Sequence, residues 1–199
     1  KVATYEDALR LIDECAAAEK TCDQLYDAVR LIEKDAVKIY PDMADKEALW
    51  ERAQGTFKFI LSTGNAKTRA FHPPSYLFPF AYAMIHGEHF GNGFGLNENW
   101  IWISVLQKHY FNPKIRQMVV TVQDIYVNGN KATDRIPDYF KNAINLGKTP
   151  EDFVDQRPPA FCILAATENA LVARGNQSGS LAIWRRLSKD IKPVAYRDL

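Results

Sequence analysis

The chain has 199 residues, of which 47% are hydrophobic, 12% aromatic and 25% charged, a globular balance that excludes a disordered, collagen-like or low-complexity protein. Twenty-five Lys and Arg against 24 Asp and Glu leave a formal charge of +1, so no bulk attraction for nucleic acid or an anionic membrane is built in. The length is that of one domain able to close its own core.

Helix signals dominate the first third. Thr4, three residues before Asp7, is a box-like N-cap ahead of Leu9, Ile12 and Ala16, predicting a helix from about Tyr5 to Glu19. Thr21 and Gln24 repeat the device, and Leu25, Val29, Ile32, Ala36 and Ile39 form the apolar stripe of a second helix ended by Pro41. Asp45 can cap a third, with Leu49, Trp50, Ala53, Phe57, Ile60 and Leu61 inward and Gly64 as its stop.

After a polar linker, Tyr76 to Ile85 is apolar nearly all round and reads as a buried helix kinked or begun at Pro79. Ten residues are too few to cross a membrane. The stretch from His86 to Asn99, with four glycines and three asparagines, reads as loop. Trp100 to Phe111 reads as an aromatic helix, followed by a helical face of Ile115, Met118, Val119, Val122 and Tyr126, with a strand as the alternative for the β-branched run Val119 to Val122. Shorter helices are expected at Pro137 to Ile144, Ala160 to Arg174 and Ser180 to Ile191. The expected fold is therefore mainly α: an N-terminal three-helix bundle over 1–64 packed on an aromatic-rich helical region over 65–199, as one continuous domain. Trp50, Tyr76, Phe78, Phe80, Trp100 and Trp102 are expected in its core.

Cys15, Cys22 and Cys162 are too few for a disulfide framework and are read as packing residues of a reducing compartment. The chain begins at Lys1 with no basic-apolar leader, so it is expected to be a piece of a cytoplasmic protein.

His72, His86, His89 and His109 invite a metal reading, but no Cys-x-x-Cys or His-Glu-x-x-His accompanies them, and neither a metal nor a cofactor is expected. The Gly91-Asn-Gly-Phe-Gly95 run lacks the Walker spacing and the Gly-Lys-Ser/Thr ending. With His86 ahead of Gly91-Asn92-Gly93, it resembles the active loop of Fic-type AMP transferases. That resemblance implies a histidine base, so His86 and Asn92 are the candidate catalytic residues. Phe90, Phe94 and Asn97 stand where the family's acidic residue and two arginines would be, so the charges for phosphoryl chemistry are missing. Cys162 sits in the apolar run Phe161-Cys-Ile-Leu and reads as structural. On the C-terminal helix, Arg185, Arg186, Lys189 and Lys192 form the one basic cluster beside Trp184, a candidate nucleic-acid site; the competing reading is helix-end complementation with Trp184 capping the core.

Leu49-Trp-Glu-Arg-Ala-Gln-Gly-Thr-Phe-Lys-Phe-Ile-Leu61, Pro74-Ser-Tyr-Leu-Phe-Pro-Phe-Ala81, Trp100 to Tyr110 and Phe161-Cys-Ile-Leu-Ala-Ala before Gly175 together resemble the helical middle of the GmrSD-type restriction endonuclease family. The family's Asp-Gly-Gln-Gln-Arg and His-Asn-His motifs have no counterpart, so no functional residue carries over. The leading expectation is a non-catalytic helical scaffold or interaction module with a protein partner, in a DNA-defence or DNA-processing assembly. A phosphate-using enzyme at the His86 to Gly95 loop and a nucleic-acid-binding domain are the alternatives.

Overall fold

The first capping signal acts where the sequence places it. Thr4 is extended and its Oγ1 accepts from the Asp7 amide at 3.1 Å, opening α1 (Tyr5–Ala18). Glu19 adopts a left-handed conformation (φ 51°) and closes it. α2 (Leu25–Ile39) follows. In this computed structural model the described residues are 2, 4–39, 43–74, 80–97, 99–112, 116–153 and 158–187, with the side chains of 35–47 outside that set.

The expectation of a mainly α chain is overturned beyond the third helix. α3 (Met43–Ala53) stops at Ala53, and Phe57, Ile60 and Leu61, expected on its face, belong to a strand, β1 (Gly55–Ser62). Gly55, at φ +135°, turns the chain out of the helix, and the aromatic and β-branched residues after it suit a pleated surface. Then come β2 (Phe80–His86), β3 (His89–Asn97), β4 (Trp100–Asn112), β5 (Gln117–Val127), the two-residue β6 (Asn130–Lys131), α4 (Asp138–Ala143), β7 (Ala160–Ala166), β8 (Ala170–Gly175) and β9 (Leu181–Arg186).

Every pairing is antiparallel. β1 to β5 and β7 to β9 follow one another around the sheet, β4 pairs β5, and β9 pairs β1, which closes an eight-stranded up-and-down barrel. Closure leaves no exposed edge among these strands. The β5–β7 seam is short, Gln117↔Cys162 to Val119↔Ala160. Beyond it the 130–153 segment lies along β5, with Ala132 N–H donating to Ile125 O and Gly147 N–H to Val122 O, both at 2.8 Å.

The glycine-rich run expected as a loop is the middle of β3. Gly91, Gly93 and Gly95 pair with Met84, Tyr82 and Phe80 on one face, while Phe90, Asn92 and Phe94 pair with Ile85, Ala83 and Ala81 on the other. A Cβ on Gly93 would stand 2.6 Å from the Tyr82 ring, and one on Gly95 2.1 Å from Trp100 O. The glycines let the outer-face aromatics of β2 and the backbone of β4 approach closely.

No three-helix bundle forms. α1 and α2 pack on each other and, through Ile12, Ala16, Leu25, Val29 and Ile32, on the outer faces of β1, β7, β8 and β9 at Ile60, Leu164, Val172 and Ile183. Polar ties hold them there: Asp13 accepts from the Asn169 backbone and side-chain amides at 2.8 and 2.7 Å, and Arg174 pairs with Glu33 through two nitrogens. α3 goes elsewhere, placing Leu49 and Ala53 with Phe57, Ile85, Met118, Ile163 and Leu171 inside one end of the barrel.

Candidate functional site

The two ends of the barrel are built differently. At the end where β1 begins, α3 is a plug: Trp50 stacks on Phe111 (ring centroids 4.4 Å) and meets His109 edge-on at 4.8 Å. Arg186 lies over the Phe57 ring, 4.6 Å from its centroid, and donates to the carbonyls of Arg52, Gln54 and Glu168, tying the end of α3 to the β7–β8 turn. Burial draws its pKa below the usual arginine value. His109 is also held here, its Nε2–H donating to Gly87 O at 2.5 Å. Burial, opposed by that bond, pulls its pKa below 6.5.

At the opposite end a cavity of about 570 Å³ opens between the strands. Its floor is a chain of aromatic rings crossing the barrel from β1 to β3: Phe59 to Trp184 at 5.3 Å, Trp184 to Phe161 at 6.3 Å, and Phe161 to Phe90 at 5.8 Å. Ala81, Ala83 and Ala182 leave the walls short of side chain, which is why the space exists. Below the floor, Ile85, Met118, Ile163 and Leu171 cluster around the base of Trp184. The rim is polar, with Ser62, Thr63, His72, Ser178 and Ser180, and among the described residues no Asp, Glu, Lys or Arg lines the cavity. Several rim hydroxyls are engaged: Thr63 Oγ1 accepts from Leu181 N–H at 3.0 Å, and Ser178 and Ser180 share a hydrogen bond at 2.7 Å. Asn92 lines the wall. Leu96, Trp100 and Trp102 stand at the strand ends of this open side and are 51%, 60% and 48% exposed.

The structure separates the residues expected to act together. His86 closes β2 opposite His89, bordering a groove at the plugged end with Glu51 and Arg52. Asn92 pairs with Ala83, three positions away, so it lies on the other face of the sheet and opens into the cavity. The Fic-like reading fails on this geometry, since paired strands carry residues of opposite faces to opposite sides of the sheet and so cannot present both to one substrate.

The basic helix fails likewise. Arg185 and Arg186 are neighbours in β9 and face opposite sides of the barrel wall; Arg185 Nε lies 3.1 Å from the Glu19 carboxylate on α1, and Arg186 is spent on backbone carbonyls. Lys189 and Lys192 lie outside the described residues. The expected helical scaffold is corrected as well, because among the described residues helices form only the plug, one outer cover and short connections of a barrel. Trp100 and Trp102, expected in the core, are exposed, and Tyr76 and Phe78 lie outside the described residues. The segments behind the restriction-enzyme resemblance are α3 with β1, β4 and β7, and its Pro74 to Phe80 stretch is described only at its ends.

Among the described residues, no helix is long and apolar enough to cross a membrane. Of the cavity residues, the sequence singles out His72, Asn92 and Trp184 for other roles and does not group them with Phe59, Phe90 and Phe161, although the alternation of Phe90, Asn92 and Phe94 with glycine is a legible period of two.

No family model and no curated protein matches the chain. Among solved structures it is similar to a lipocalin-like protein from Bacteroides uniformis, with 8% identity, a TM-score of 0.40, and 68% of this chain and 99% of that one covered. It is also similar to an uncharacterized protein from Bacteroides eggerthii, with 9% identity, a TM-score of 0.42, and 67% and 98% covered.

Proposed function

We propose that the chain binds one small, uncharged and largely apolar molecule in the open half of its barrel. The observation that carries this reading is the cavity of about 570 Å³ above an aromatic floor. A volume of that order lies within the range of about 300–1,000 Å³ common to small-molecule sites, and an eight-stranded barrel has room for one such ligand. Half-buried rings at Phe59, Phe161 and Trp184 offer faces on which a planar or branched hydrocarbon gains contact that water does not supply. Among the described residues the lining carries no carboxylate or ammonium to compensate a charge, so an ionic ligand there would lose its hydration without return. Asn92 supplies one donor and one acceptor to orient a carbonyl or hydroxyl on the ligand.

The test is a titration with the neutral probe N-phenyl-1-naphthylamine. Probe fluorescence should rise and tryptophan emission should fall at a stoichiometry of one. Ala182→Phe, which fills the wall beside Trp184, should weaken binding by about tenfold or more, a change of about 1.4 kcal/mol. Equal binding by that variant, or no binding by the parent chain, overturns the proposal.

A further inference from the structure

Away from the cavity, the helical hairpin on the outer wall carries two cysteines whose placement the cavity does not explain. Cys15 is in the last turn of α1 and is 8% exposed, facing the barrel with Ile12 and Ala16. Cys22 is exposed in the link before α2. Their Sγ atoms are 3.7 Å apart. The backbone holds them there: Glu19 turns the chain through its left-handed conformation, Lys20 N–H donates to Cys15 O at 3.0 Å, and Leu25 N–H donates to Cys22 O at 3.1 Å. The two thiols are thus anchored from both sides of a short reversal, one reachable from solvent and one not.

We propose that Cys15 and Cys22 form a reactive dithiol that a low-molecular-weight disulfide, such as oxidised glutathione, converts into an intramolecular disulfide. The exposed Cys22, as thiolate, attacks one sulfur of the oxidant, forming a mixed disulfide and releasing one glutathione thiolate. Cys15 then loses its proton, its sulfur attacks Cys22 Sγ, and the second glutathione leaves. Two protein thiols are oxidised, one glutathione disulfide is reduced to two thiols, and the two protons end on them. Accessibility sets the order, and burial with the neighbouring Cys22 pushes the Cys15 thiol up to about 12, which disfavours it as the first attacker. The sulfurs must close from 3.7 Å to the bonded distance of about 2.05 Å, a displacement that rotation of the exposed Cys22 side chain can supply. This changes the expectation that all three cysteines only fill space; Cys162, on β7, remains a packing residue beside Glu33 and Arg174.

The whole chain is incubated with oxidised glutathione and read by intact mass, thiol count and a tryptic map without reduction. The parent chain should lose about 2 Da and fall from three free thiols to one. The map should link Leu11–Lys20 to Thr21–Arg30, since cleavage after Lys20 separates the two cysteines. Cys15→Ala should stop at the mixed disulfide with a gain of about 305 Da, and Cys22→Ser should react at neither position. A parent chain that keeps three thiols, that stops at the glutathione adduct, or whose linked peptide contains Cys162 overturns the proposal. That result on the parent chain decides the matter even if a variant fails to fold.

Discussion

The two ends of the barrel share the same eight strands and diverge in what occupies them. The plugged end is filled by α3, by Phe57, Ile85, Met118, Ile163 and Leu171, and by an arginine whose donors meet backbone carbonyls. The open end has alanines where the plugged end has large side chains, and it keeps its aromatics on the floor instead of across the mouth. Stability is therefore concentrated at one end, which frees the other to leave apolar surface unfilled, a division of labour common in binding scaffolds.

Four substitutions sharpen this contrast, and each has a different expected size. Phe57→Ala removes a fully buried ring from the plugged end together with the face under Arg186, and should cost about 4 kcal/mol in urea unfolding. Arg186→Met keeps apolar bulk over Phe57 but strips the carbonyls of Arg52, Gln54 and Glu168 of their donor; about 2–3 kcal/mol should be lost, with the barrel's ladder intact by circular dichroism. At the open end, Ala182→Phe should shift unfolding by about 1 kcal/mol or less, because it grows into empty space, while abolishing most probe binding. If Ala182→Phe destabilises as much as Arg186→Met, the open half is as tightly packed as the plugged half and the contrast is wrong.

The smallest effect is a pH dependence. His109 has a folded pKa below its ordinary 6.5, mainly through burial, helped by His89 and opposed by the Gly87 carbonyl and Glu88. A base whose folded pKa is depressed contributes its full stability above the unfolded pKa and loses it as pH falls. Urea midpoints of the parent chain should therefore decline as pH drops from about 6.5 toward the lowered value, and His109→Gln should flatten that slope. An unchanged slope assigns the pH dependence to another group.

The contrast between ends also marks where sequence reasoning succeeds. α1 lies where its Thr4 cap and its 3.6-residue stripe put it and α2 where its stripe does, because both signals are local and each helix buries only one face. β7 and β8 read as helix in the sequence for a physical reason. Their inner faces (Ile163, Leu171, Ala173) meet the barrel core and their outer faces (Leu164, Ala170, Val172) meet the helical hairpin, so both sides are apolar and the alternation that signals a strand is erased. At β3 the opposite happened: the alternation was intact, but its second face was glycine, whose composition reads as loop. At β5 the β-branched run Val119 to Val122 did carry the strand alternative.

The sequence by itself determined the first two helices and the Thr4 cap of α1, and it carries no metal-binding or nucleotide-binding motif of recognised spacing, all of which depend on residues close together in the chain. The tertiary structure alone decided that β9 returns to β1, that Arg185 and Arg186 part to opposite faces, and that Phe59, Phe90, Phe161 and Trp184 meet across one floor. The β9–β1 pairing, the Arg185 and Arg186 contacts and the Phe59–Trp184 contact join residues more than a hundred positions apart, and barrel closure is set by register and burial summed over the whole sheet, which no local window of the sequence contains.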